Sequence, residues 1–194
     1  MYTIENITSD VNITIGGIII NSYAMTFETG EGYTLSAITG YDAEDVKHGN
    51  EFKFKITLAE GYVGATVKIK GENDSEYTQI SGVNNVYTIS NVQTGYSIKA
   101  VADIAKFDIA LPTNVEGVSV AFVGIAGVET TVDYNEDISF TVTPNENMDI
   151  SNLVVVGKAA TKDYQPTIMI SGDVYIYTFK NVKDHITNIE IMFL

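Results

Sequence analysis

The sequence contains no cysteine and no tryptophan, and it is poor in basic side chains. Without cysteine the chain has no disulfide framework, no zinc–thiolate site and no thiol nucleophile. Eleven Lys and Arg residues stand against 25 Asp and Glu, which gives a formal net charge of −14. Phosphate contacts need a basic surface, so this charge argues against nucleic-acid partners and against anionic lipid surfaces.

Long hydrophobic runs are missing as well. The longest aliphatic run, residues 153–156, is far shorter than a membrane span, and we expect no membrane insertion. Residues 1–6 show neither the basic nor the apolar region of a signal peptide. We therefore expect the chain either to stay inside the cell that makes it or to belong to a longer parent protein.

One short motif occurs three times along the chain. Residues 2–7 (Tyr-Thr-Ile-Glu-Asn-Ile) match residues 87–92 (Tyr-Thr-Ile-Ser-Asn-Val) and residues 177–182 (Tyr-Thr-Phe-Lys-Asn-Val). The similarity continues outside the motif, as in the alternating runs 52–58 and 138–144. Internal repetition of this kind indicates tandem structural units.

We predict two full repeats, residues 16–104 and 105–194, preceded by an orphan hairpin over residues 1–15 that resembles the end of a further repeat. The second repeat has extra residues in the polar stretch 158–165, which we interpret as a loop because loops tolerate insertions. This organisation favours a longer parent chain. The alternative is a genuine start at Met1, with the hairpin packed on the first repeat or on a neighbouring subunit.

Strict apolar/polar alternation and regular turn signals predict short, half-buried strands throughout. Seven short strands per repeat are typical of an Ig-like sandwich. We predict an all-β fold of two tandem Ig-like β-sandwich domains, each of about seven strands, preceded by the N-terminal hairpin. The strands predicted in the first repeat are 23–28, 32–38, 51–58, 65–70, 76–80, 86–90 and 95–102, and those of the second lie 85 to 90 residues later.

The recurrent motif has a local structural interpretation. Its Tyr, Ile and Val alternate towards a core, and its Asn can close the strand in an Asx-turn or at positive φ. We interpret the motif as a structural hairpin, and the alternative is a ligand role for the Asn.

This pattern resembles the tandem β-sandwich repeats of bacterial surface proteins. Residues 85–92 together with Ile98, and residues 2–7 together with Asp10 and Ile13, carry the resemblance. The third copy departs from it, with one extra residue around 185–189. The resemblance implies an Ig-like fold, an extracellular or cell-surface location, a stalk or adhesive role, and no catalytic residues. Similar modules occur on phage virions, which is the alternative setting.

Motifs for catalysis are lacking. His48 and His185 stand outside any zinc-ligand spacing, and neither a Gly-x-Ser-x-Gly elbow nor a phosphate-binding loop with Lys occurs. We predict no enzyme activity, no catalytic residue and no cofactor. Acidic pairs such as Glu146 and Asp149 could serve a glycosidase, but they cluster in turn segments, and we interpret them as solvated charge.

Calcium is the alternative for two of the acidic clusters, because Ca²⁺ takes six to eight oxygen ligands. The candidate ligands are Asp42, Glu44, Asp45, Glu72, Asp74 and Glu76. In the second repeat the first three correspond to Val128, Thr130 and Thr131, so a site shared by both repeats is not expected.

Tyrosine is abundant, with 12 residues, and some of these lie near predicted loops. Tyr41, Tyr62, Tyr134 and Tyr164 could stack on sugars or anchor an interface, and the alternative is that they fill the rim of thin sandwiches. A carbohydrate-binding accessory module is therefore a further candidate function. We expect an unidentified protein or glycan partner, or neighbouring repeats or subunits.

The segment between the predicted repeats, residues 100–107, contains no Gly, Pro or Ser. Such a linker should be short, apolar and stiff, and it would hold the two repeats end to end. We therefore expect the array to act as a spacer.

Overall fold

The computed structural model describes residues 3–145, 148 and 152–193. These residues form strands, turns and irregular segments without any helix, which confirms the prediction of an all-β chain. Accordingly, the described part has no helix with the length and apolar character needed to cross a membrane. Met1 and Tyr2, at the start of the first motif copy, lie outside the described residues, as do the acidic residues Glu146 and Asp149.

Strands within residues 22–104 form three sheets. They are β1 Ser22–Tyr23, β2 Met25–Phe27, β3 Tyr33–Ala37, β4 Val46–Lys47, β5 Phe52–Leu58, β6 Tyr62–Gly71, β7 Thr78–Ile80, β8 Val86–Ile89 and β9 Tyr96–Ile104. The strand orders are β1-β4, β2-β9-β6-β7 and β3-β5-β8. Strand β2 runs parallel to β9, whereas β1 and β4, and also β5 and β8, are antiparallel.

The described strands within residues 106–193 form three further sheets. They are β10 Lys106–Ala110, β11 Val118–Phe122, β12 Glu129–Asp133, β13 Ile138–Pro144, β14 Leu153–Lys158, β15 Asp163–Tyr164, β16 Thr167–Ser171, β17 Val174–Phe179 and β18 Asn188–Phe193. The orders are β10-β12, β11-β13-β17-β16 and β15-β14-β18, and all of these pairs are antiparallel. Several sheets with apolar inner faces are consistent with a β-sandwich.

Two compact units make up the chain. The first comprises Met1–Glu28, Leu35–Lys55 and Lys68–Lys99, and the second comprises Thr29–Thr34, Ile56–Val67 and Ala100–Leu194. Strands β3, β5, β6 and β9 each contribute residues to both units. The domain boundaries at residues 16 and 105 stay predictions from the sequence repeat.

An aromatic pair lies in the core of each unit. In the first, Phe54 is fully buried and its ring stacks on Tyr87 with centroids 5.4 Å apart and planes 17° apart. In the second, Phe140 is fully buried and stacks on Tyr177 at 5.7 Å and the same 17°. The alternation of buried and outward-facing residues in β5 and β13 follows the predicted period of two.

The motif copies in β8 and β17 behave as the structural interpretation predicts. Asn91 and Asn181 adopt positive φ values of 51° and 49°, which confirms the predicted left-handed turn at the end of the strand. The next residues, Val92 and Val182, are completely buried. The Asn therefore turns the chain so that the following Val enters the core.

The hairpin predicted over residues 1–15 is wrong for the described residues 3–15, which contain no strand. Asn6 keeps the motif's positive φ of 56°, so the local turn survives. In the described part of the chain, no other strand pairs with this segment. The hairpin fails for that reason, because a lone pair of strands is marginally stable in water.

The polar stretch 158–165, predicted as a loop, contains the short strand β15. Tyr164 pairs with Gly157 in the ladder, and its side chain is only 5% exposed. Its ring packs edge-on against Phe179 at 6.2 Å. The two-residue strand therefore carries a buried aromatic side chain, which the polarity of its neighbours concealed, whereas residues 159–162 and 165 lie outside any strand.

Candidate functional site

The acidic cluster at residues 42–45 makes hydrogen bonds with neighbouring residues of the chain. The Glu44 backbone N–H donates to Asp42 Oδ1 at 2.9 Å, which is the Asx-turn geometry. Lys47 Nζ lies 2.6 Å from Asp45 Oδ1, and this hydrogen bond lowers the pKa of the Asp45 carboxyl. Two of the three carboxylates therefore already interact with the chain itself.

The second cluster also bonds to its own loop. The Gly71 backbone N–H donates to Asp74 Oδ2 at 3.0 Å, and Thr94 Oγ1 lies 3.5 Å from Glu72 Oε2. Among the described residues, no three His, Asp or Glu side chains converge to hold a metal ion. Calcium binding by Asp42, Glu44, Asp45, Glu72, Asp74 and Glu76 stays a prediction from the sequence.

A surface cleft of about 230 Å³ includes part of the first acidic cluster. It contains Tyr41 and Glu51 beside Asp42 and Asp45. Tyr41 Oη donates to Glu51 Oε1 at 2.7 Å, which raises the pKa of the phenol. Small-molecule pockets usually enclose about 300–1,000 Å³, so this cleft is small for one.

A larger surface cleft, of about 510 Å³, lies along strands β10 and β12. Its lining residues are Asp108, Ile109, Ala110, Glu129, Thr130, Thr131 and Thr187. Asp108 Oδ2 lies 3.0 Å from Nδ1 of His185. Sequence reasoning missed this cleft because its residues come from three separate segments and match no ligand-binding spacing.

The four tyrosines proposed as sugar or interface contacts pack mostly against their own chain. The Tyr62 ring lies against Gly32, and the Tyr134 ring lies against Gly61. Tyr164 is buried in the core of its unit, and Tyr41 is bonded to Glu51.

A single residue, Ala105, separates the end of β9 from the start of β10. Its side chain is only 7% exposed. Its N–H donates to the Gly61 carbonyl at 2.8 Å, and its carbonyl accepts from the Tyr134 N–H at 2.8 Å. Both backbone polar groups of Ala105 are therefore hydrogen-bonded within its own unit.

Five residues form what we call the Ala105 junction, and all of them belong to the second compact unit: Ala105, Gly61, Tyr134, Glu60 and Lys183. Tyr134 Oη donates to Glu60, and Lys183 Nζ lies 4.8 Å from the Tyr134 ring centroid. The Tyr134 hydrogen bond, helped by Lys183, lowers the pKa of Glu60. Gly61 has φ +86°, and the Tyr134 ring occupies the space that a Cβ would need.

Polar chemistry is confined to the surface. The described residues include no buried polar or charged side chain and no buried side-chain polar atom without a hydrogen-bond partner. Enzymes commonly tune ionisable groups by burial, whereas the shifted carboxyls described here owe their pKa to surface partners. The arrangement is suited to holding strands together.

No known protein family matches the chain, and a comparison with curated proteins also finds no match.

Proposed function

We propose that the chain is a non-catalytic pair of tandem Ig-like β-sandwich domains. In this proposal it serves as a stalk or adhesive module of a bacterial extracellular or cell-surface protein. The observation that carries the proposal is the Ala105 junction, where one buried, doubly hydrogen-bonded residue joins two strands.

The chemistry of that connection supports a stiff joint in this proposal. Flexible linkers are rich in Gly and Ser and have solvated backbone groups. Ala105 has a buried side chain, and both of its backbone groups are bonded to other strands or turns of its unit. A stalk needs joints of this type, since each free joint shortens the distance that the array can span.

The two copies of the core support the tandem part of the proposal. Phe54 with Tyr87 and Phe140 with Tyr177 are aromatic pairs of matching geometry, built from equivalent positions of the repeat. Each copy is closed by the same Asn–Val turn. A chain without cysteine has to rely on such apolar packing, because no disulfide is possible.

Small-angle scattering tests the stiffness directly. The wild-type chain is compared with a variant carrying six Gly and Ser residues between Ala105 and Lys106. We expect a defined set of interatomic distances for the wild type and a broader, shifted distribution for the insertion variant. Indistinguishable profiles would mean that the repeats already tumble freely, and the stalk proposal would fail.

Three further measurements separate the alternatives that share this architecture. Surface labelling of the source cells tests the extracellular location, and mass spectrometry of purified phage particles tests the virion alternative. A glycan array tests the accessory-module alternative. Specific binding to one polysaccharide would replace the stalk role by carbohydrate recognition.

A further inference from the structure

Strand β16, residues 167–171, is an unprotected sheet edge. It is the last strand in the order β11-β13-β17-β16 and pairs only with β17 among the described strands. All five of its residues are exposed, and none is charged. Sheet edges are normally protected by charge, by short length or by a covering segment. The edge strand β18 carries Glu190, and β7 has only three residues.

The apolar face of this sheet continues to the open edge. The strand registers place Phe122, Phe140, Tyr177 and Ile168 in one row across the four strands. The first three are at most 5% exposed, whereas Ile168 is 55% exposed. Because neighbours in a row share one face of the sheet, Ile168 belongs to the core face and lacks its next neighbour.

A second row repeats the pattern. Val120, Val142, Tyr175 and Ile170 are neighbours across the same four strands. Val142 is completely buried, and Ile170 at the edge is 61% exposed. A fifth strand with apolar residues at alternate positions would extend both rows and cover both isoleucines.

The N-terminal segment has the sequence of such a strand. Val11, Ile13 and Ile15 alternate with Asn12 and Thr14, the pattern of a strand with one apolar face. The three apolar side chains are 48%, 69% and 76% exposed, and no described strand pairs with them. The segment therefore holds unused backbone hydrogen-bonding groups together with an unburied apolar face.

We propose that residues 11–15 of one molecule add as a fifth strand to β16 of a second copy of this chain. The edge supplies backbone hydrogen bonds, and the segment's alternate apolar side chains cover Ile168 and Ile170. Addition of an extended segment to a sheet edge is a recurrent mode of recognition. Each molecule carries one donor segment and one acceptor edge, so the contact is head-to-tail and can propagate.

Charge is compatible with this partner. The chain has a net charge of −14, so two copies repel each other over most of their surfaces. Residues 11–27 and 164–172 contain no charged side chain. The proposed contact therefore joins two uncharged segments, and added salt should strengthen it by screening the repulsion between the remaining surfaces.

The test uses three double variants of the full chain, each of which adds two positive charges at exposed positions. The donor variant is Ile13→Lys/Ile15→Lys, and the acceptor variant is Ile168→Lys/Ile170→Lys. The matched control is Val63→Lys/Val101→Lys, since Val63 and Val101 are 71% and 59% exposed and lie outside both segments. Because all six positions are exposed, we expect each variant to stay folded, and circular dichroism checks this.

Sedimentation velocity over a wide concentration range gives the readout. We expect the wild type and the control variant to associate with rising concentration, and the donor and acceptor variants each to remain monomeric. Mixed together, those two variants should form a 1:1 dimer and stop, because the donor variant supplies the unmodified β16 edge and the acceptor variant supplies the unmodified segment 11–15. Amide exchange in the dimer should slow at residues 11–15 and 167–171.

Several outcomes would overturn the inference. A wild type that stays monomeric at every concentration removes it, and so does a mixture that does not dimerise. Association that survives in the donor variant but not in the acceptor variant means that β16 pairs with another β16. Slow exchange of residues 11–15 in a monomer means that the segment docks within its own molecule. The scattering test of the Ala105 junction can be made on the monomeric variants, so the two proposals fail separately.

Discussion

Asn91 and Asn181 stand 90 positions apart and share one backbone conformation, with φ values of 51° and 49°. The residue after each is a fully buried valine. The Val92 N–H donates to the Asn50 carbonyl at 2.8 Å, and the Val182 N–H donates to the Glu136 carbonyl at 2.9 Å. The same turn therefore closes both copies of the repeat.

Replacing either asparagine by alanine should destabilise its copy of the repeat. An alanine in the left-handed region costs about 1 kcal/mol, because its Cβ approaches the next carbonyl oxygen. Glycine adopts positive φ without that strain. We expect Asn181→Ala to lower the free energy of unfolding in urea by about 1 kcal/mol relative to Asn181→Gly. Equal losses for both variants would place the role of Asn181 in its side-chain contacts.

Truncating the core aromatic ring should have a much larger effect. Phe140 is fully buried, and its ring contacts Tyr177 and Phe179. We expect Phe140→Ala to cost about 3–5 kcal/mol because of lost burial and the cavity that remains. Phe193→Ala is the control, since Phe193 is 42% exposed. Thermal unfolding followed by circular dichroism compares the stability of the two variants. A similar loss of stability in both would contradict the assignment of Phe140 to the core.

Adding a methyl group at Gly61 should strain the Ala105 junction in two ways. Alanine at φ +86° is unfavourable in itself, and the Tyr134 ring occupies the position of its Cβ. We expect Gly61→Ala to lower stability by about 2–4 kcal/mol. In a double-mutant cycle, adding Tyr134→Ala to Gly61→Ala should recover only the stability that is lost through the clash with the ring. If the two substitutions have additive effects, the ring does not limit the space at Gly61.

The Asp137 carboxyl should make a pH-dependent contribution to stability. The Lys180 side chain, 2.6 Å away, and the Asn181 backbone N–H lower the pKa of Asp137 below its usual 3.8. A carboxyl with a lowered folded-state pKa stabilises the fold fully above its unfolded-state pKa, and that contribution is lost as the pH falls through the folded-state value. Asp137→Asn should therefore unfold more easily than wild type at neutral pH.

In strongly acid solution the difference between wild type and Asp137→Asn should disappear, because both side chains are then uncharged. Urea unfolding at a series of pH values measures the difference. Lys180→Met is the partner control. In a chain that carries Lys180→Met, adding Asp137→Asn should lower the free energy of unfolding at neutral pH by less than it does in the wild type. A difference that is constant across the acid range would show that the ionisation of Asp137 does not contribute.

The sequence by itself determined the local features of this protein. The run 52–58 predicts a strand from its period of two, and the structure has β5 at Phe52–Leu58. The turn at Asn91 follows from one residue type that tolerates positive φ after an alternating run. Features of this kind depend on residues that lie within a few positions of one another in the sequence, so the sequence pattern is enough to predict them.

Tertiary contacts decided which strands pair. Ile80 and Ile170 occupy equivalent positions of the repeat, yet β7 lies beside β6 whereas β16 lies beside β17. In the second copy the short strand β15 occupies the edge of β14, held there by the buried Tyr164. The sequence showed the extra residues near this point but not their pairing, since pairing depends on residues far apart in the chain.

The same limit explains the N-terminal segment and the cleft beside β10. The alternation of Val11, Ile13 and Ile15 predicts a strand, but the described residues 3–15 contain none, because a strand forms only where a partner edge is present. Asp108 and Thr187 meet at the cleft only because folding brings their two segments together. The sequence therefore determined the local shape of each segment, and only the tertiary structure decided which segments became neighbours and which edge remained open.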